Sequence, residues 1–173
     1  MALPSSLHLL KRPSNQNLIY ALSSCSLAFF LFSFQVHEKS ILLPLLPITL
    51  LYSSHPGFVS FFMTHALFSL HPLLIIDKLE LAYLAMLCLT TAVNIHVFKK
   101  YSWLSCIIMV FCYAIMGIYH YHDLFIKPPQ RYPDLYVVGN CIYNASIFII
   151  SYLYLLYLQF CGPEVEAEKQ KRE

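Results

Sequence analysis

The chain has 173 residues, 58% hydrophobic and 12% charged, and its mean hydropathy is positive at +0.61. That composition excludes a soluble globular domain and identifies an integral membrane protein, all-α because apolar runs long enough for spanning helices recur along nearly the whole length. The formal net charge of +2 is small and the basic residues are scattered over loops and ends, which removes nucleic acid from the partners to consider.

Six polytopic membrane segments are predicted, at residues 18–35, 41–54, 58–76, 79–98, 102–120 and 135–160. Together they make residues 1–163 one transmembrane domain, followed by a charged tail at 164–173. Lys11 and Arg12 ahead of the first apolar run look like the start of a secretory signal, but no small-residue cleavage site follows. Leu22-Ser23-Ser24-Cys25 imitates a lipoprotein signal with the hydrophobic stretch on the wrong side of the cysteine, so the run reads as a transmembrane helix. The second segment is too short for a standard span: 14 residues rise about 21 Å as a helix, against a hydrocarbon core of about 30 Å. It also carries Pro44 and Pro47, each lacking a backbone donor. Two readings stand: a broken helix that lines a cavity or is buried in protein, or a helix that starts earlier with its charges at the water interface.

Lysine and arginine counts orient the chain. With a cytosolic amino terminus, that side holds Lys11, Arg12, Lys99, Lys100, Lys169, Lys171 and Arg172, and the opposite side holds Lys39, Lys78, Lys127 and Arg131. The seven-to-four excess follows the positive-inside rule and makes both termini cytosolic. His37 to Lys39 and the loop around Pro128 then share the lumenal face.

His37, Glu38 and Lys39 place three ionisable side chains between two apolar stretches, where charge is costly. Lys39, or His37 when protonated or donating a hydrogen bond, can hold the anionic group of a phosphate-linked sugar donor, while Glu38 can orient a neighbour or act as a base. A wetted helix end is the competing reading. The connection at 120–135 is the longest polar one, stiffened by Pro128, Pro129 and Pro133, and Arg131 in it is a second candidate anion contact or an exposed ion pair with Asp134. His120-x-His122-Asp123 has the residue types of a metal site, but histidines two apart diverge on a helix and no ligand cluster accompanies them, so no metal and no cofactor is predicted. His65, His71 and His96 read as packing residues. The sequon Asn144-Ala145-Ser146 falls inside the last span, and Asn140 and Asn144, one turn apart, can hydrogen-bond a neighbouring helix. Six cysteines without CxxC spacing read as small apolar packers.

The run FSFQVHEKSILLP at 32–44, together with PPQ-x-x-PDL at 128–135 and a basic carboxyl tail, closely resembles the dolichyl-phosphate-glucose-dependent α-1,3-glucosyltransferases of the endoplasmic reticulum. The first-glucose enzyme is the better match than the second-glucose enzyme, over its carboxyl-terminal third. The resemblance implies a type C glycosyltransferase fold and a hexosyltransferase activity. It also implies dolichyl phosphate glucose as donor, a dolichyl-pyrophosphate-linked oligosaccharide as acceptor, and a setting among membrane lipids. The family's catalytic aspartate, in an early lumenal loop, has no counterpart here. The catalytic base is therefore unassigned, and the chain alone is expected to be an inactive fragment. Two non-transferase readings remain: a membrane scaffold or accessory protein in which His37 to Lys39 marks a helix boundary, and a small transporter using the broken helix as its substrate site.

Lys169 and Lys171 stand at the spacing of a dibasic endoplasmic reticulum retrieval signal. Replacing both with Ser should release the chain from that compartment, as followed by fractionation; unchanged retention would place the signal in the helices.

Overall fold

The computed structural model describes the backbone of residues 2–34, 36–98 and 103–170, and the side chains of the same residues except 98, 104 and 162–170. Among them the ordered elements are all helical. In chain order they are α1 Leu3–Lys11, α2 Asn15–Phe32, a 3-10 turn Glu38–Ile41, α3 Leu42–Thr49, a second 3-10 turn Leu50–Ser53, α4 Pro56–Ser69, α5 His71–Ile76, α6 Glu80–Phe98, α7 Trp103–Phe125 and α8 Leu135–Gln170. Among the described residues three stretches are long and apolar enough to cross a membrane: Glu80–Val97 in α6, Ser105–Phe125 in α7 and Leu135–Cys161 in α8. The helices sort into two compact units, one formed by residues up to Ser54 together with those from Ile147 onward, the other by His55–Ser146.

The first unit begins with a helix that the sequence reading did not anticipate. Pro4 falls within the first two positions of α1, where its missing N–H is no loss. The chain then turns sharply. Ser14 caps α2 by accepting the Asn17 N–H at 3.1 Å, and the Asn17 side chain donates to the Arg12 carbonyl at 2.8 Å, so α2 starts three residues before the expected Leu18. A buried polar chain fastens α1 to its neighbours. Ser24 Oγ lies 2.8 Å from Ser5 Oγ, Ser5 in turn donates to Gln159 Oε1, and Gln159 Nε2 donates to the Ser5 carbonyl at 2.9 Å. In the same unit Leu27, Ile41, Ile48, Leu51 and Leu155 are almost wholly buried.

The expected segment 41–54 is a two-turn α-helix between two 3-10 turns, with Pro47 inside α3. Pro47 cannot donate to a preceding carbonyl, which weakens the helix one turn before it tightens into 3-10 geometry. α3 packs against α2.

In the second unit, the expected segment 58–76 is interrupted at Leu70, which closes α4 and opens α5. Pro72, two residues on, lacks the N–H that would have reached the Phe68 carbonyl; the Asn140 side chain, 1% exposed, donates to that carbonyl instead, at 3.3 Å. α5 ends in a Schellman arrangement, with Lys78 N–H to the Ile75 carbonyl and Leu79 N–H to the Leu74 carbonyl, and Lys78 adopts φ 58°. α4 packs against α6, and a buried network spans α4, α6 and α7. Asn94 Nδ2 donates to Thr64 Oγ1 at 2.7 Å and to Tyr113 Oη at 2.9 Å, and Tyr113 donates to Thr91 Oγ1.

α7 runs to Phe125, five residues past the expected end, because no Gly or Pro follows His120 until Pro128. The polar connection therefore shortens to 126–134. None of the six cysteines forms a disulfide: Cys112 is buried, Cys25 and Cys106 are half-buried, and Cys88, Cys141 and Cys161 are exposed.

Two stability predictions follow from these backbone repairs. Asn140→Leu leaves the Phe68 carbonyl unpaired and should lower unfolding free energy in detergent by about 1–2 kcal/mol, with partial recovery on adding Pro72→Ala, which restores an N–H. Lys78→Gly relieves a left-handed backbone and should raise it by about 1 kcal/mol, read from the thermal midpoint.

Candidate functional site

α2 ends at Phe32, and the backbone leaves it extended, with Ser33 at φ −79°, ψ 147°. His37 is also extended, at φ −72°, ψ 141°, and caps the following 3-10 turn twice. Its Nδ1 accepts the backbone N–H of Lys39 at 3.3 Å, and its carbonyl accepts that of Ser40 at 2.8 Å. Ile41, fully buried, anchors the far end of the turn. Two donors of the turn are thus satisfied by His37, as an apolar setting requires.

The side chains of His37, Glu38 and Lys39 are exposed. His37 and Ser40 also line an open cavity of about 830 Å³ that lies wholly within the first unit, bordered by residues of α2, of the segment leading from it, and of α3. Its walls are apolar, from Leu22, Phe29 and Phe30 on one side and Leu42, Leu43 and Leu46 on the other. The polar groups come from Ser26, Ser33, His37 and Ser40. An amphiphile with a hydrocarbon tail and a polar head matches this arrangement. Glu38 and Lys39 follow His37 directly in the turn, but neither lines the cavity.

Arg131 belongs to the second unit, on the loop between α7 and α8. That loop turns through Tyr132 N–H to the Pro129 carbonyl at 2.9 Å, and the Arg131 guanidinium stacks on the Tyr132 ring, 5.5 Å from its centroid. Among the described residues no ion pair joins it to Asp134. Lys169 falls in the last turn of the α8 backbone, and Lys171 lies outside the described residues.

His65 is fully buried and satisfied, with Nδ1 2.8 Å from the Phe61 carbonyl and Nε2 3.1 Å from Tyr143 Oη. Asn144 is buried as well, and its side chain donates to Asn140. His120 and His122 diverge on α7. His122 approaches Tyr136, whereas His120 Nε2 lies 2.9 Å from Tyr83 Oη and its ring sits 4.5 Å from that of His71.

Phe68 and Tyr119 complete an aromatic and histidine cluster that sequence reading missed, since its members are spread over three segments. Among the described residues no group of three His, Cys, Asp or Glu side chains is placed to hold a metal ion.

Relatives agree with the motif-based resemblance. The dolichyl pyrophosphate Man9GlcNAc2 alpha-1,3-glucosyltransferase of Saccharomyces cerevisiae is 38% identical over 193 residues, covering 91% of this chain and 35% of that protein. A probable protein of the same name from Arabidopsis thaliana is 39% identical, covering 92% of this chain and 32% of its own length. The Gallus gallus protein is 34% identical, covering 89% and 35%. The chain thus spans about a third of the length of the curated relatives it matches. The profile of the ALG6, ALG8 glycosyltransferase family matches residues 1–155, from α1 through the cavity and past the middle of α8, and the chain belongs to that family.

Proposed function

We propose that this chain supplies the donor-side part of a glucosyltransferase that moves glucose from dolichyl phosphate glucose to a dolichyl-pyrophosphate-linked high-mannose oligosaccharide. The observation that carries this reading is the apolar cavity with His37 and Ser40 at its wall, next to Glu38 and Lys39. The hydrocarbon walls suit isoprene units of the donor lipid. Lys39 supplies positive charge for the phosphate, and His37 a hydrogen bond. The relatives' names specify an acceptor with nine mannoses and no glucose, which favours transfer of the first glucose.

In the reaction an acceptor hydroxyl attacks the anomeric carbon, its proton passes to a base, and the bond to the phosphate oxygen breaks with the electron pair leaving on dolichyl phosphate. Charge therefore accumulates on the phosphate side as the bond breaks, where Lys39 and His37 act. The base is assigned to the part of the relatives that lies outside the matched third, since Glu38 has no arrangement around it that singles it out. Arg131 is a second anion contact, on the same lumenal side by the charge count.

The chain works in the endoplasmic reticulum membrane as a multi-pass protein, with both termini cytosolic and with Lys169 and Lys171 as its retrieval signal. Residues 1–163 form its transmembrane domain and 164–173 its tail.

The test is glucosyl transfer in microsomes lacking the first glucosyltransferase, with the chain supplied alone or joined to the remaining portion of the Saccharomyces cerevisiae relative. Transfer only by the joined form is expected; transfer by the chain alone would overturn the shared-site reading and make Glu38 the first candidate base. In the joined form Lys39→Ala should reduce donor use by at least about tenfold, the loss of one charged hydrogen bond, with protein amount unchanged. An equal fall in activity and protein amount would assign Lys39 a structural role instead.

A further inference from the structure

We propose that the loop between α7 and α8 receives the oligosaccharide of the acceptor, with the ring of Tyr132 as the platform on which a mannose residue stacks. This rests on the reading of the chain as part of a glucosyltransferase and adds to it the surface that meets the glycan.

Tyr132 is an exposed aromatic residue on a backbone with little freedom. Its N–H donates to the Pro129 carbonyl at 2.9 Å, and its carbonyl accepts the Leu135 N–H at 3.3 Å. Pro133 follows it directly and restricts its φ and ψ, while Pro128 and Pro129 stiffen the chain that leads into the turn. Both ends of the loop are held as well. The Ile126 N–H reaches the His122 carbonyl at 3.0 Å, and the ring of His122 on α7 approaches that of Tyr136 in the first turn of α8, with centroids 6.1 Å apart. The Arg131 guanidinium lies over the Tyr132 ring, yet Tyr132 remains 55% exposed. A ring held in this way and still open meets a partner without losing the rotamer freedom that a mobile side chain would lose.

The polar groups around it suit a neutral polyol. Gln130 and Asp134 stand exposed on either side of Tyr132 in sequence, and among the described residues neither side chain is hydrogen-bonded or ion-paired. A carboxylate accepts on two oxygens and an amide both donates and accepts, so each can engage neighbouring hydroxyl groups. A hexopyranose presents a flat C–H face, which matches an aromatic ring, and a rim of hydroxyls, which matches these groups. The relatives' names specify a glycan rich in such residues, Man9GlcNAc2. A lipid headgroup layer is the competing partner, since Tyr and Arg also belong at membrane interfaces. The unpaired carboxylate of Asp134 beside the ring repels anionic headgroups and favours the sugar.

Glucosyl transfer by the joined form, with acceptor and donor varied separately, tests this. Tyr132→Ala should raise the KM for the oligosaccharide-lipid about fivefold and leave the KM for dolichyl phosphate glucose within about twofold of wild type. Tyr132→Phe keeps the ring and drops the hydroxyl, and should hold the acceptor KM within about twofold. Should Tyr132→Ala fail to accumulate, Tyr132→Leu keeps apolar bulk without a flat face and should show the same split.

An unchanged acceptor KM on removal of the ring would overturn the assignment. A parallel rise of both KM values would overturn it too, and would mark the ring as an anchor among lipid headgroups. In both cases transfer by the wild-type joined form leaves the glucosyltransferase reading standing. No transfer by that form would remove the reading itself, and the glycan surface with it.

Discussion

The backbone N–H of Lys39 reaches Nδ1 of His37, and this contact decides how the chain passes from α2 into α3. A helix that ends inside apolar surroundings leaves carbonyl and amide groups that water cannot satisfy, at several kcal/mol each. Here His37 takes up two donors of the turn that follows it, the N–H of Lys39 on its imidazole and that of Ser40 on its carbonyl. The apolar faces of α2 and α3 are held apart at their polar end by that connection, and the space between them is the cavity.

The same economy recurs elsewhere. Pro72 removes a backbone donor and the Asn140 side chain replaces it; Pro47 loosens α3 where the chain tightens into a 3-10 turn. Buried polar side chains do the cross-linking within each unit, through Ser5, Ser24 and Gln159 in one and Thr64, Thr91, Asn94 and Tyr113 in the other. Each such bond contributes modestly in a membrane, on average about 0.6 kcal/mol, but an apolar helix surface offers many nearly equivalent packings and a polar pair offers few. These contacts select one arrangement more than they add stability.

Much of this was legible from residues alone. Apolar runs with few charges located α6, α7 and α8, and two prolines in a short run made an interrupted helix one of the two readings of 41–54. Helix limits were less legible. α7 continues through His122 and Asp123, polar residues that a helix at a membrane edge tolerates and a hydropathy reading assigns to a loop. α1 escaped because nine residues with Ser, His and Lys among the leucines fall below any spanning length, and what holds the helix is a buried serine meeting α2 and Gln159.

The sequence by itself determined the helical membrane class, the family resemblance through FSFQVHEKSILLP, and the set of ionisable residues from which a phosphate site can be drawn. Those properties depend on composition and local order, which each segment carries alone. Tertiary structure decided which histidine nitrogen is committed to the backbone, that His37 borders a cavity while Lys39 does not, and that His71, Tyr83 and His120 meet from three different helices. Such outcomes depend on contacts between segments far apart in the chain and on the geometry of single atoms. Neither is encoded in periodicity, because periodicity specifies which face of a helix is apolar and leaves open what that face will meet.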